Sequence, residues 1–491
     1  MNILLVYPEH PVTFWSFKYA LKFINKKSNQ PPLGIITVGA MLPREWNLKL
    51  VDMNIKQLKN KDIIWADFVF ISAMNIQKES TRKVIDRCKK LHVKTVGGGP
   101  LFSTEDESFS DVDHLLLYEG EICIPKFIKD LERKSLKHKY EWEGYPQLTE
   151  TPIPAWELLD IKKYATLSIQ YSRGCPFHCE FCNVVSLFGH TPRTKTVGQV
   201  IGELDAIYNL GWRSGIFFVD DNFIGNKKKL KEEILPALIE WMQTKKYPFT
   251  FLTEASINIA DDEELMNLMV DAGFNNVFVG IETVDEDSLA ECNKIQNTQR
   301  DLIENVKRIQ RHGMQVQGGF ILGFDNDKPS VFSNTISFIQ NSGIVTAMVG
   351  MLNAPKGTKL FDRMEQEGRL IKDFSGTNTD VNFTTKMDLD ALQEGYSNVV
   401  HSIYSPENYY QRIKVFLENF QPRAHKRRRY KFGDIVAFII ACFHLGFVSK
   451  GRSEYWNLLK WSFTQKRETL PMAITFSVYG YHFRKCLPAL E

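Results

Sequence analysis

The chain has 491 residues, of which 43% are hydrophobic, 24% charged and 12% aromatic. That is enough for about three domains with sizeable cores, and it excludes a disordered chain, a collagen-like fibre and a small disulfide scaffold. The net charge of +3 is uneven: residues 421–491 hold 13 Lys and Arg against 4 Asp and Glu, so the remainder is net acidic.

The opening MNILLVY has no basic residue ahead of its apolar stretch and no small-residue cleavage site. It reads as a buried first strand rather than a signal peptide. LKLVDM (48–53), FVFISAM (68–74), KTVGGG (94–99) and HLLLY (114–118) repeat the style, a continuous apolar run suited to a strand covered on both faces. Between them, PPLGIITVGAMLP (31–43) and KESTRKVIDRCKKL (78–91) have helical spacing. The alternation predicts a doubly wound parallel sheet over residues 1–140, with ligands expected beyond the carboxyl ends of its strands. Residues 141–165, with Pro152 and Pro154, read as an extended linker.

A second alternation fills residues 166–370. Its strands are TLSIQY (166–171), GIFFVD (215–220), FTFLTEA (249–255), NVFVGIE (276–282), QVQGGFILG (315–323) and TAMVGML (346–352), with amphipathic segments between. About six βα units predict a partial β/α barrel. Residues 371–491 are mainly helical in flavour, basic and aromatic. The longest apolar run, Ile435–Val448, has 14 residues, short of the roughly 18–20 a membrane span needs. The expectation is therefore an α/β cytoplasmic protein, in which clustered cysteines serve a metal or catalysis rather than disulfides.

Three of the eight cysteines cluster just after the first barrel strand: Cys175, Cys179 and Cys182, in YSRGCPFHCEFCNVV. Four-cysteine zinc and ferredoxin patterns need a fourth thiolate nearby, and the next cysteine is Cys292. Two readings stay open on the residues alone. His178 or His190 could complete a zinc site. Alternatively, three thiolates could hold three irons of a [4Fe–4S] cube, leaving the fourth open to a chelating ligand.

The C-x3-C-x-aromatic-C motif, with Phe181 at the aromatic position, resembles the signature of the radical S-adenosylmethionine superfamily. The resemblance implies a [4Fe–4S] cluster on Cys175, Cys179 and Cys182 that binds S-adenosyl-L-methionine and cleaves it to a 5′-deoxyadenosyl radical. It further implies that Asp220, Asp221 and Asn222, in FFVDDNF, lie where the family holds the methionyl ammonium. Glu254 in TEASIN and Glu282 in VGIET lie at strand ends facing the same cofactor, and GGFILGF (318–324) lies where the adenine approaches the backbone. Each acid alone could equally be a solvated strand end or a helix cap. Arg193 and Lys195 either approach the cofactor's carboxylate or belong to a solvated loop.

A doubly wound domain ahead of such a barrel resembles the cobalamin-binding class of the superfamily. The matching positions are PPLGI (31–35), Ser72, Gly97, Gly98 and Gly99, and Glu119 and Gly120 in YEGE. The resemblance implies methylcobalamin held there, although the glycines could simply make βα turns. The D-x-H-x-x-G motif that supplies a lower histidine ligand in some cobalamin proteins is absent, the stretch reading DMNIKQL (52–58). Over roughly residues 1–420 the chain resembles the subgroup of the hopanoid C-2 methylases, except that Asn183 stands where the subgroup often has Asp.

The implied function is methylation of an unactivated carbon in a lipid-like or other small molecule, with an electron donor such as flavodoxin or ferredoxin. The alternatives are a non-methylating radical reaction (cyclisation, ring contraction or oxidation) and a non-catalytic cobalamin-binding module, which the three intact cysteines disfavour. The run Arg423, Lys426, Arg427, Arg428, Arg429 and Lys431, followed by Ile435–Val448, reads either as peripheral attachment to an anionic membrane or as a buried helix with a solvated basic cap. No nucleic-acid-binding motif accompanies it, so nucleic acid is not an expected partner.

Overall fold

A computed structural model describes residues 1–142, 144–371, 381–422 and 432–487, without the side chain of Phe432. The basic run Arg423–Lys431 lies outside the described residues. The chain forms two compact units. The first comprises Met1–Val12, Lys27–Pro176 and Asn183–Asp221, and the second Thr13–Lys26, Phe177–Cys182 and Asn222–Glu491.

In the first unit, strands β1 (Asn2–Tyr7), β2 (Asn47–Asp52), β3 (Phe68–Ser72), β4 (Lys94–Gly98), β5 (His114–Leu116) and β6 (Lys139–Tyr140) form one sheet in the order β2-β1-β3-β4-β5-β6. Every pairing is parallel. The chain leaves β1 towards one edge and returns to its other side, so the order reverses between β1 and β3, where a ligand crevice forms in such sheets. The sheet needs cover on both faces. Helix Lys78–Lys90 supplies it with Thr81, Val84, Ile85 and Cys88, the i, i+3, i+4, i+7 stripe of an amphipathic helix. These pack into a core with Leu4, Val6, Val69, Ile71, Phe102 and Phe109. On the other face the Phe127 ring of helix Gly120–Glu132 meets Phe68, Phe70 and Tyr140 edge-on. The short edge strand β6 lies in the charged stretch before the linker, where nothing in the local pattern marks a strand.

The first unit also contains β7 (Leu167–Ile169), β8 (Ser172–Arg173), β9 (Arg193–Thr194) and β10 (Gly215–Phe218). β10 runs parallel to β7, and β8 pairs antiparallel with β9. The β8–β9 pair forms the neck of the loop that carries the cysteines.

In the second unit, β11 (Thr250–Glu254), β12 (Phe274–Glu282), β13 (Gln315–Leu322) and β14 (Ala347–Met351) form successive parallel pairs. Helices Glu263–Ala272, Leu302–Arg311 and Ser330–Ser342 connect them, the βα repeat the sequence pattern predicts. The rest is helical, ending in Phe432–Phe443, Arg452–Gln465 and Leu470–Lys485. Fully buried Arg412 ties this region to the repeat, donating to the Ile403 carbonyl (2.7 Å) and to Gln340 of helix Ser330–Ser342. Segment Thr13–Lys26 joins the second unit through its aromatic residues: Phe17 packs on Tyr479, His482 and Phe483 of the last helix. Among the described residues no helix is long and apolar enough to cross a membrane.

Candidate functional site

In the first unit, the chain around Cys175 is held by buried carboxylates. Asp220 follows β10 and is fully buried. Its Oδ1 accepts from the Ser172 amide and hydroxyl (2.6 Å to Oγ), and its Oδ2 from the Tyr171 amide (3.1 Å). Burial pushes its carboxyl up to about 7. Asp221 lies alongside. Burial pushes it up to about 6, and the Gly174 amide donates to it. Its Oδ2 is buried and has no hydrogen-bond partner among the described residues. Gly174, immediately before Cys175, has φ +93, and a Cβ there would lie 2.8 Å from the Gly189 carbonyl and 3.0 Å from that of Thr191. Only glycine fits such a left-handed, crowded position. The Cys175 carbonyl accepts from His190 Nδ1 (3.1 Å).

Two arginines flank this loop, and both pair with the acids of YEGE. Arg173 bonds Glu119 and Glu121 (2.9 Å to the latter), and Arg193 bonds Glu119 (2.7 Å). Arg193 also donates to the carbonyls of Pro146 (2.7 Å) and Phe188 (2.9 Å). Glu119 and Glu121 are both buried at the side chain. Glu119 thus clamps both ends of the cysteine loop. Arg193 is an ion-paired loop anchor, and Lys195 is buried and paired with Glu203.

In the second unit, Cys179 and Cys182 sit in a segment fixed from several directions. The Glu180 amide donates to the Cys292 carbonyl (2.9 Å). The Glu180 carboxylate takes a two-pronged bond from Arg363 (2.7 and 3.0 Å), the strong geometry for this pair. Asn293 donates to the His178 carbonyl (3.1 Å), and Gln296 Nε2 donates to Cys179 Sγ (3.7 Å). The Phe181 ring meets Phe324 edge-on (6.1 Å).

Glu282 ends β12 after a register shift between Gly280 and Glu282, with φ +65, a backbone conformation rare outside glycine. Its carboxylate pairs with buried Lys294 (2.6 Å). Burial works to lower the Lys294 pKa, but Glu282, Cys179 and Cys182 outweigh it and hold the ammonium well above its ordinary value. The pair occupies the space a Gly280 side chain would need, since a Cβ there would lie 2.2 Å from Glu282 Oε1 and 2.9 Å from Lys294 Nζ. Asn222 is buried, and its Oδ1 accepts from the Ser256 amide (3.2 Å). Glu254 is half-buried at the end of β11. Lys294, Gln296 and Arg363 escaped the sequence reading because they lie more than a hundred residues after the motif and belong to no recognisable pattern.

At the carboxyl ends of the first unit's sheet, Ser72 closes β3 and Gly97–Gly99 close β4. Gly97 faces the Phe102 ring, Gly98 the Leu116 carbonyl and Gly99 the Ser72 hydroxyl. Gly120 opens helix Gly120–Glu132. Asp52, where a cobalamin-ligating loop would start, is buried and accepts from the Tyr164 hydroxyl (2.8 Å).

Three half-exposed thiols on one loop are soft donors suited to iron–sulfur binding. Among the described residues no three of the His, Cys, Asp and Glu side chains surround a single-ion site.

Residues 169–339 match the Radical SAM superfamily, and residues 358–490 match a domain of unknown function, DUF4070. An uncharacterised methyltransferase of Synechocystis sp. is 37% identical, over 98% of this chain and 91% of its own length. The hopanoid C-2 methylase of Rhodopseudomonas palustris is 35% identical, over 83% of this chain and 77% of its own. Among solved structures, the cobalamin-dependent S-adenosylmethionine radical enzyme OxsB superposes with a TM-score of 0.63 at 16% identity, over 99% of this chain and 80% of its own. The radical S-adenosylmethionine methyltransferase TsrM from Kitasatospora setae, with cobalamin and a [4Fe–4S] cluster bound, gives 0.60 at 12% identity over 99% of both chains.

Proposed function

The chain belongs to the radical S-adenosylmethionine superfamily, in the family of the hopanoid C-2 methylase, and we propose that it is a cobalamin-dependent methyltransferase acting on an unactivated carbon of a lipid-like substrate. One observation carries the reading. The three-thiol loop is intact, and the chain that holds it aligns with a carbon methylase over most of both lengths. Cys175, Cys179 and Cys182 would hold the cluster. Asp221, Asn222, Glu254 and Glu282 would serve S-adenosylmethionine, and Ser72, Gly97–Gly99, Glu119 and Gly120 would border cobalamin. When bound, these groups supply one electron, a hydrogen-abstracting 5′-deoxyadenosyl radical and a transferable methyl group.

The chain's own part is positioning. Asp220 holds the Tyr171 and Ser172 amides, which fixes where the cysteine loop leaves β7. Arg363 holds Glu180 between the other two thiols. Asp221 offers a buried, unpartnered oxygen that suits an ammonium group. Glu119 acts through Arg173 and Arg193, which it holds at the two ends of the cysteine loop. The DMNIKQL stretch contains no histidine, so it would offer cobalamin none. Peripheral membrane attachment is part of the same proposal, because a lipid-like substrate resides there.

The test is anaerobic turnover with methyl-labelled S-adenosylmethionine and a pentacyclic hopanoid. The expected product carries the label and gains one CH2 unit. Release of 5′-deoxyadenosine with an unlabelled, cyclised or oxidised product would overturn methylation while sparing radical chemistry.

Asp221 makes a pH prediction. Its raised pKa means the carboxylate charge is lost as the pH falls through about 6, well above the usual range for an exposed Asp. The affinity for S-adenosylmethionine is therefore expected to be full at neutral pH and to fall below it. Asp221→Asn should weaken binding about tenfold at neutral pH, the size of one charge-assisted hydrogen bond, and flatten the pH dependence. Equilibrium dialysis across about pH 5 to about pH 8 measures both.

A further inference from the structure

In the second unit, helix Phe432–Phe443 continues through a π turn at His444–Val448. Its inner face is small: Ala441 and Leu445 are buried, and the Phe23 ring packs on His444. Its outer face is apolar and open. Ile439 is 61% exposed, Phe443 59%, Phe447 65% and Val448 66%. Ile435 continues the row at the start of the helix, so the stripe repeats every four residues along one side. The row extends onto the next helix, where the exposed Trp456 ring meets Phe447 edge-on (6.1 Å) and its indole donates to the Gly446 carbonyl (3.0 Å). Phe463, also exposed, lies two turns further along that helix, with the Arg467 guanidinium over its ring (5.0 Å). A soluble surface rarely leaves so many contiguous large apolar side chains uncovered. The sequence alternative of a buried helix therefore does not hold for Ile435–Val448.

We infer that this face lies flat in the interfacial layer of an anionic phospholipid membrane. Three observations select that occupant. The helix is too short to span a bilayer. Exposed Arg452 and Lys460 lie on the second helix of the stripe, with exposed Lys450 just before it and Arg467 just after it, and residues 432–487 carry seven Lys and Arg against three Asp and Glu. Apolar stripes with Trp and Phe beside basic residues are what interfacial helices present to anionic lipid. The site consists of described residues alone. The cations Arg423–Lys431 precede it in sequence and add charge of the same sign. The inference deepens the lipid-substrate reading and rests on it for its purpose, not for its geometry.

The experiment is flotation of the full-length protein with vesicles of mixed phosphatidylcholine and phosphatidylglycerol, with vesicles of phosphatidylcholine alone as comparison. The wild type should float with the anionic vesicles and lose binding in high salt. Ile439→Glu combined with Phe443→Glu should reduce flotation at least tenfold while leaving thermal unfolding close to wild type, since both side chains are on the surface. Lys450→Glu combined with Arg452→Glu, which leaves the apolar stripe intact, should lower binding to anionic vesicles only. A wild type that does not float, an apolar-face variant that floats equally, or a wild-type dimer that the variant converts to monomer would each overturn the inference, the last by assigning the face to a second copy. Turnover of detergent-dispersed substrate separates the two proposals. Failed flotation with methylation intact sinks this inference alone, and flotation without methylation sinks the functional reading alone.

Discussion

Replacing Cys179 with alanine is expected to abolish the four-iron spectrum and to lower 5′-deoxyadenosine release at least about a thousandfold, a loss of roughly 4 kcal/mol of transition-state stabilisation. With only two thiolates on the loop, the cube loses one of its three protein anchors. Cys175→Ala and Cys182→Ala should behave alike. The useful contrast is Cys292→Ala. Burial pushes the Cys292 thiol up to about 12, so at neutral pH it is a protonated, inert packing group. Its backbone carbonyl, not its sulfur, holds Glu180. Cys88 and Cys123 are likewise pushed up by burial, to about 12 and about 11. Iron and sulfide content, the spectrum of the reduced protein and chromatography of 5′-deoxyadenosine should therefore report a loss at the three motif positions and near wild-type values at Cys292. Retention of a four-iron cluster by Cys179→Ala would end the assignment.

The second large effect is expected at Glu119. Its carboxylate is shared by Arg173 and Arg193, and the side chains of all three are largely buried. Removing Glu119 leaves the buried Arg193 without a carboxylate, while Arg173 keeps Glu121; breaking a buried pair in this way costs about 3–5 kcal/mol. Glu119→Ala should lower the urea stability of the cofactor-free protein by that amount and loosen both ends of the cysteine loop, so that cluster loading falls with it. Glu119→Gln keeps the shape but not the charge and should recover part of the loss. If Glu119 served only as a cobalamin contact, the cofactor-free protein would unfold as the wild type does. Urea titration of Glu119→Ala decides between these outcomes.

The strands of both sheets were legible because parallel strands covered on two faces must be apolar along their length, as ILLVY and FVFIS are. Their ends were less so. TLSIQY reads as a strand to Tyr171, but β7 stops at Ile169 because Asp220 takes the next amides away from the sheet. The cysteine spacing was legible because all three donors lie on one short stretch. The groups around them were not, since Lys294, Gln296 and Arg363 reach the loop only through strand order and helix packing, and Glu119, a candidate for cobalamin, meets its two arginines by the same route. FWSFKYALKFINKK showed aromatic content but not its destination. Its docking onto the last helix is a contact across more than 450 positions, beyond any local pattern.

The missing side chain at Gly280 bears on the cluster proposed for the cysteine loop. By having no side chain, it leaves room for a carboxylate and an ammonium to meet, and the charges of Glu282, Cys179 and Cys182 help to keep that ammonium protonated. A metal core that takes up an electron becomes more negative, and a fixed positive charge in a dry interior makes that step less uphill. If the cluster sits on these thiols as proposed, the absence of one methyl group on β12 would help to set how strong a reductant it needs.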